Sequence, residues 1–293
     1  NPFKEIPQMS SRQLTVTKAN SLVEATYHLT LAEQRLLLLV ISRLDSRVEL
    51  DSRIPHTITA AEVMTVFQVG ESRAYQILEE AAERLYTRSV TIHEPDPRQP
   101  KSDRLVTRWV AAVHYKPGTG AIELFFAQPI MPFISQLKAR FCQYHLANIA
   151  PMSSVYAVRL YELLIQWRDA GTRRFELDWL RERFLLGQKY ASIRDFKRYV
   201  LQIAVDQINT HSDLWVQWEQ HKRGRVVHAL TFTFGPKAEQ KPETESRPAS
   251  PANAKPARPR LTRAYVERHA QPGESWEDAW ERCRRQLEQE NAG

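Results

Sequence analysis

Cysteine is scarce in this 293-residue chain, which contains only Cys142 and Cys283. The two residues lie far apart in the sequence and outside any CxxC pattern. The sequence therefore predicts neither a disulfide framework nor a thiolate zinc site, and we interpret both residues as incidental free thiols.

Long apolar runs and catalytic signatures are also missing. No run approaches about 18 uninterrupted apolar residues, and the segment NPFKEIPQMSSRQLTVTK lacks the apolar core and small-residue cleavage site of a signal peptide. We therefore expect a cytoplasmic protein without a membrane partner.

No HxH pair, HExxH motif or GxxxxGK[ST] phosphate loop occurs, so we expect no enzyme, cofactor or metal. Five of the nine histidines adjoin apolar residues and are interpreted as structural: His28, His93, His114, His145 and His228.

The charge balance of the chain is basic. Lysine and arginine total 41 against 34 aspartate and glutamate residues, and the sequence pI is near 9.4. This excess favours a polyanionic partner such as nucleic acid or an anionic membrane surface. The length suffices for two domains, since a single domain usually holds about 100–200 residues.

One order of predicted elements occurs twice along the chain. In the first half, TLAEQRLLLLVISRL starts with Thr30 and Glu33 at capping-box spacing and predicts a buried helix. IPHTI predicts a short strand, and TAAEVMTVF and ESRAYQILEEAAERLYTRSV predict a helix-turn-helix in which Gly70 suits the tight turn. RLVTRWVAAVHY and AIELFFA flank KPGTG and predict a hairpin, the wing of a winged helix.

The second half repeats this architecture with little sequence identity. SSVYAVRLYELLIQWRDAG, RRFEL, DWLRERFLL and SIRDFKRYVLQIAVDQINTH predict helix, strand, helix and long third helix, and LWVQWEQHK and VVHALTFTF flank RGR as the hairpin. Pro151 interrupts the chain between the halves, and Ser153 or Ser154 is expected to cap the next helix. We predict an α+β fold of two tandem winged-helix domains, residues 1–150 and 151–235.

The remainder of the chain has a different composition. Residues 236–261 contain six prolines and almost no large apolar residue, which predicts a flexible linker. Residues 262–293 predict a tail of two short helices, with Trp276 and Trp280 on one face of the second. Docking on the body, docking on a partner and loose disorder are the open alternatives for this tail.

The two long third helices differ in charge. Residues 71–88 hold four glutamates against three arginines, which suits a DNA groove poorly. The helix predicted over 190–209 instead carries Arg194, Lys197 and Arg198 in its N-terminal half, the part of a recognition helix that meets base edges. This cationic face is predicted to read DNA, and the alternative is a solvated surface helix.

A regular 3.6-residue period also predicts the buried side of this helix. The residues expected along the apolar stripe are Ile193, Phe196, Val200, Ile203 and Ala204. Arg194 and Arg198 lie nearly opposite that stripe, and Lys197 flanks them.

Further cations accompany this helix. The predicted hairpin tip HKRGRVV places Lys222, Arg223 and Arg225 around Gly224, where a wing can follow phosphates or enter the minor groove. The alternative is a solvated turn. Lys189, just before the helix, completes the predicted DNA-contacting set.

The ordered blocks LTLAEQRLLLLVISRLDSR, YAVRLYELLIQWRDAGTRRFELDWLRERF and DFKRYVLQIAVDQIN, with a strand ending FTF, carry a resemblance. Over roughly Leu14 to Phe234 the chain resembles the initiator proteins of iteron-bearing plasmids, a family that includes the F-plasmid initiator. The resemblance implies monomers that bind tandem origin repeats on double-stranded DNA, open an adjacent AT-rich region and bring in the host initiator and replicative helicase. It also implies a homodimer that binds an operator inverted repeat and represses its own gene, with chaperones converting dimer to monomer.

Carried over position by position, the family's base-reading helix falls on Ser192, Arg194, Lys197, Arg198 and Tyr199. The chain departs from the family at Ser192 and Tyr199, where relatives tend to be more basic. This departure gives more weight to Lys197 and Arg198.

Two other functions compete with this interpretation. A rolling-circle initiator or relaxase would need a tyrosine nucleophile and a His-x-His metal pair, and that pair is absent. A transcriptional repressor with two winged helices and no initiator activity is the nearer alternative. Several direct repeats beside an AT-rich stretch near the gene would favour the initiator, and a lone inverted repeat would favour the repressor.

Overall fold

The computed structural model of the protein describes residues 14–93, 103–116, 118–237, 281–282 and 284–286. The described residues up to 237 belong to one compact unit, which contains both winged helices, and the described residues beyond 240 belong to a second. In the second unit residues 281–282 and 284–286 are helical. Most of the predicted linker and tail, with Cys283, Trp276 and Trp280, lies outside the described residues.

The first half of the compact unit is a winged helix with extra strands. In chain order it contains β1 (Thr15–Ala19), α1 (Asn20–Val23), β2 (Thr26–Tyr27), α2 (Leu31–Ile41), β3 (His56–Thr59), α3 (Ala60–Phe67), α4 (Glu71–Thr87), β4 (Ser89–His93), β5 (Arg104–Arg108), β6 (Val110–Lys116), β7 (Ala121–Phe126) and β8 (Phe141–His145), with 3-10 helices at Gln128–Phe133 and Leu146–Asn148.

Reciprocal capping boxes fix the starts of two helices in this half. Thr30 and Glu33 exchange side-chain bonds with each other's main-chain N–H groups at the start of α2, which confirms the prediction from their spacing. Thr59 and Glu62 do the same for α3, a pair that the sequence analysis missed. The turn between α3 and α4 is made by Gln68 in the left-handed region, with φ of 52°. The role given to Gly70 is wrong, because Gly70 is the extended N-cap of α4, with φ of −67°.

The wing of the first half is the β6–β7 hairpin, which also pairs with β3. The sequence predicted one strand over RLVTRWVAAVHY, and the structure divides it at Trp109. β5 pairs with β4 in one sheet, whereas β6 pairs with β7 in another. The fully buried Trp109 ring packs edge-on against Tyr27, with ring centroids 5.0 Å apart. The chain therefore changes sheet at a core side chain.

The second half has the predicted order of elements. It contains α5 (Val155–Ile165), β9 (Thr172–Glu176), α6 (Leu177–Arg183), α7 (Ile193–Phe196), a π-helical turn (Lys197–Leu201), α8 (Gln202–His211), β10 (Leu214–Arg223) and β11 (Val226–Pro236). The sheet order is β10-β11-β9, with every pair antiparallel. Ser154 is the N-cap of α5, but its side chain makes no capping bond. The Gln207 side chain accepts from the N–H groups of Ser153 and Ser154 instead.

Helix α5 joins the two halves through a shared core. Every residue from Ala157 to Ile165 is buried, including Arg159 and Glu162. Glu162 pairs with the buried Lys18 of β1, with Nζ and Oε1 2.5 Å apart. Arg159 donates to the main-chain oxygens of Ala25 and Arg183 at 2.8 and 3.1 Å. The first and second winged helices are thus tied by buried polar contacts as well as apolar packing.

Candidate nucleic-acid interface

The helix predicted to read DNA runs from α7 through the π-helical turn into α8. A π turn holds about one residue more than an α turn, so it shifts every later side chain around the axis. The buried residues are Phe196, Val200, Leu201, Ala204, Val205 and Ile208. The predicted stripe is therefore right at Phe196, Val200 and Ala204 and wrong at Ile203, which is 39% exposed.

The turn before this helix is held by Arg181 of α6. Its Nη1 donates to the Tyr190 oxygen at 2.7 Å, and its Nη2 donates to the Lys189 oxygen at 3.0 Å and more weakly to Gly187 at 3.4 Å. The turn contains left-handed residues at Leu185, Gly187 and Tyr190. Such conformations are costly for residues with a Cβ, so the bonds from Arg181 stabilise the turn.

Ser192 and Arg194 lie at the exposed start of the helix. Ser192 is the N-cap, and its hydroxyl accepts from the Arg194 N–H at 3.2 Å. Its side chain is thus engaged in starting the helix. The Arg194 side chain is 87% exposed, and its Nε lies 3.4 Å from a carboxylate oxygen of Asp195.

The Lys197 side chain contacts strand β10 of the wing. Its Nζ donates to the Gln220 side-chain oxygen on β10 and lies 5.7 Å from the centroid of the Trp218 ring. Lys222 follows Gln220 by two residues, so this bond joins the recognition helix to the base of the wing. The sequence analysis did not single out Gln220 or Trp218, because this contact forms only once β10 is folded beside the helix.

Arg198 and Tyr199 form an exposed pair. The Arg198 guanidinium lies over the Tyr199 ring, 5.2 Å from its centroid. Tyr199 is 44% exposed, and its ring packs against Tyr190 at a centroid distance of 5.9 Å. Within the described part of the chain no carboxylate pairs with Arg198, so its donors are available to a ligand.

The remaining predicted contacts are exposed cations. Lys222, Arg223 and Arg225 surround the tip of the β10–β11 hairpin, where Gly224 is left-handed with φ of 62°. Lys189 is exposed in the turn before α7. Among the residues that the structure describes, none of these four cations has an acidic partner. An exposed, unpaired cation suits a phosphate contact.

The corresponding face of the first half has a different character. On α4, Glu80 accepts from Gln76 at 2.8 Å and pairs with Arg84 at 3.2 Å, which neutralises part of the exposed face. The groove between α4 and the β6–β7 wing contains two half-exposed rings, Tyr75 and Tyr115. Burial, Glu83 and Glu79 together raise the pKa of Tyr115. This surface therefore lacks the cation-rich character of its counterpart in the second half.

The described residues contain no cluster of histidine, cysteine, aspartate and glutamate that could hold a metal ion. Cys142 is a free, buried thiol, and burial raises its pKa to about 12. Over the same residues no helix is long and apolar enough to cross a membrane.

Two winged helices, the second with a cationic recognition helix and wing, define a protein of the helix-turn-helix DNA-binding class. The chain matches the family described as Initiator Replication protein, WH1, over residues 15–165, and Initiator Rep protein, WH2, over residues 176–234. Because the first match alone spans more than half of the chain, the protein belongs to this family of initiator replication proteins.

Individual relatives agree with this assignment. The chain is 27% identical to a replication initiation protein of Escherichia coli, over 75% of this chain and 69% of that protein. It is 24% identical to the PI protein of Escherichia coli, over 76% of this chain and 83% of that protein. A crystal structure of Pi initiator protein in complex with iteron DNA superposes with a TM-score of 0.67 at 21% identity, covering 78% of this chain and 99% of that one. These matches confirm the fold with two winged helices.

Proposed function

We propose that this protein initiates plasmid replication by binding tandem origin repeats, or iterons, as a monomer. Bound monomers promote opening of an adjacent AT-rich region and bring in the host initiator and replicative helicase. Family membership supports the replication role, and the Pi protein, which shares the fold, is known in complex with iteron DNA. Such a protein acts where bacterial plasmid DNA lies, in the cytoplasm and associated with the nucleoid.

The second half, residues 151–235, is the sequence-specific part of this proposal. One observation supports this assignment. Arg198 has an exposed guanidinium near the start of a recognition helix and no described carboxylate partner. Arginine donates in bidentate fashion to guanine O6 and N7, the commonest specific contact in the major groove. Arg194, Lys197 and Tyr199 flank Arg198 and add contacts to bases or phosphates. Ser192 contributes indirectly, as the N-cap that starts the helix.

The wing and the preceding turn supply phosphate contacts. Lys222, Arg223 and Arg225 lie around an exposed hairpin tip, and Lys189 lies in the turn before the helix. Cations in these positions neutralise phosphates and release counterions, which strengthens binding to all sequences alike.

The first half, residues 1–150, is proposed to contact the DNA backbone in the monomer and to form the surface of a homodimer. The paired charges on α4 make it a poor reader of bases. The dimer is proposed to bind an operator inverted repeat and repress its own gene, and chaperones shift dimer to monomer.

Footprinting of the full chain on DNA flanking its gene tests this function. The proposal predicts protection of several direct repeats, together with permanganate-reactive thymines in a neighbouring AT-rich stretch of supercoiled DNA. Protection of a single inverted repeat without any opened region would favour a repressor that has no initiator activity. A matched control is the same DNA with the repeats scrambled, which should show neither signal.

A further inference from the structure

Arg181 holds the turn that precedes the helix proposed to read bases. It lies on α6 outside the predicted DNA-contacting set, and its planar guanidinium spreads over three main-chain oxygens of the following turn. Its charge also lies 5.7 Å from the centroid of Phe196, a buried residue of α7. One side chain therefore ties the first helix of the helix-turn-helix to both the turn and the reading helix.

The best of these bonds, 2.7 Å long, ends on the oxygen of Tyr190. Tyr190 is left-handed, with φ of 54°, a conformation that residues with a Cβ seldom hold without support. This backbone sets the direction of the Cα–Cβ bond from which the Tyr190 ring extends. The ring lies between Tyr156 of α5, at 6.5 Å edge-on, and Tyr199 of the π turn, at 5.9 Å.

The Tyr199 ring in turn contacts the Arg198 side chain. The two side chains are adjacent in a π turn, and the guanidinium rests over the ring at 5.2 Å from its centroid. A cation over an aromatic face is held by the ring quadrupole, which limits the directions in which the guanidinium points. A bidentate contact with guanine needs such a limited direction, because both donors must meet their acceptors at once.

We propose that Arg181, Tyr190 and Tyr199 form a positioning relay that aims Arg198 at its base pair. This inference rests on the proposed base reading by Arg198. Arg181 is a positioning residue in this relay, because both of its terminal nitrogens donate to main-chain oxygens of the turn. The relay makes Arg181 a determinant of specificity at one base pair, although Arg181 lies outside the predicted DNA-contacting set.

A double-mutant cycle on the full chain tests the relay. Binding is measured for a repeat duplex and for duplexes with each base pair changed in turn, which gives a preference profile along the site. Arg198→Ala should lower the preference at one base pair by about 5- to 150-fold. Arg181→Gln should lower the preference at that same base pair by about 3-fold or more. In the Arg198→Ala background, Arg181→Gln should change the profile no further, because residues that act through one another are not additive.

Two further variants separate aiming from general loss of structure. Tyr199→Leu removes the ring under Arg198 at an exposed position and should lower the preference at the same base pair. Tyr199→Phe keeps the ring and should retain the preference at that base pair, whatever the lost hydroxyl does to overall affinity. Arg35→Gln is the matched control, since Arg35 donates to the main-chain oxygens of Ala150 and Met152 at 2.9 and 3.1 Å. It should lower the melting temperature and leave the profile unchanged.

The outcomes distinguish the relay from the proposed function. If Arg198→Ala changes the profile and Arg181→Gln acts independently of it, or uniformly along the site, the relay is wrong and base reading by Arg198 stands. If Arg198→Ala leaves the profile unchanged, base reading by Arg198 is wrong and the relay falls with it. A preference at that base pair that Tyr199→Leu retains as fully as Tyr199→Phe would also overturn the relay.

Discussion

Removing one partner of the Lys18–Glu162 pair should destabilise the compact unit strongly. The Lys18 and Glu162 side chains are only 2% and 0% exposed, and the Tyr144 hydroxyl donates to the same carboxylate oxygen at 2.5 Å. Burial by itself lowers the pKa of Lys18. The Glu162 carboxylate, together with weaker interactions with other nearby groups, raises it, so the net pKa lies above its ordinary value. Lys18 and Tyr144 belong to β1 and β8, whereas Glu162 belongs to α5. The pair thus stabilises the junction between the two halves.

The expected magnitude follows from what each substitution leaves behind. Glu162→Gln leaves the Lys18 ammonium buried without a counter-charge, and breaking such a pair costs about 3–5 kcal/mol. The double variant Lys18→Met, Glu162→Gln removes both charges and keeps an amide oxygen for the Tyr144 hydroxyl. Replacing a whole buried pair is often neutral or stabilising, so we expect the double variant to lie within about 1–2 kcal/mol of the original chain.

Urea unfolding followed by circular dichroism measures these free energies, provided that the m-value stays constant across the variants. An exposed ion pair, Arg84 with Glu80, supplies the control, and Glu80→Gln should cost no more than about 1 kcal/mol. A loss below about 1 kcal/mol in Glu162→Gln would show that the pair is hydrated in solution. A double variant as unstable as the single one would show that the loss does not come from the unpaired ammonium, and either result would refute the reasoning.

Two further predictions concern the recognition helix and the wing. Lys197→Ala and Arg223→Ala should each lower the magnitude of the log-affinity against log-salt slope by about 1 and weaken repeat and random duplexes alike, because each removes a phosphate contact; unchanged slopes with a loss of specificity would show that these residues read bases. Leu201→Ala should cost about 2–5 kcal/mol, as expected for a buried leucine, whereas Ile203→Ala should change stability by less than about 1 kcal/mol. Equal losses in urea unfolding would argue against the π turn in solution.

The sequence predicted those features that local chemistry determines. Thr30 and Glu33 lie within one turn of each other, and hairpins such as β10–β11 pair neighbouring segments, so spacing alone indicates them. The order of helices and strands occurs twice, which was enough to predict two winged helices. The cationic helix start was also readable, because charge is a property of the residues themselves.

Features that depend on distant contacts were not predictable. The π turn at Lys197–Leu201 moves Ile203 out of the core, and nothing in a 3.6-residue period indicates where one extra residue enters a turn. Trp109 interrupts a run that reads as a single strand, since the sheet change depends on the packing of its ring against Tyr27. The pairing of Lys18 with Glu162 joins residues from different halves of the chain. The domain boundary at residues 150 and 151 stays a prediction.

The most direct test of the central claim, that the second winged helix reads the repeat sequence, compares Arg198→Ala with the original chain on repeat and random duplexes at one salt concentration. Loss of a bidentate guanine contact should weaken repeat binding by about 1–3 kcal/mol and leave binding to random DNA nearly unchanged. An equal loss on both duplexes would mean that Arg198 contacts only phosphate, and it would contradict the assignment of sequence reading to this helix.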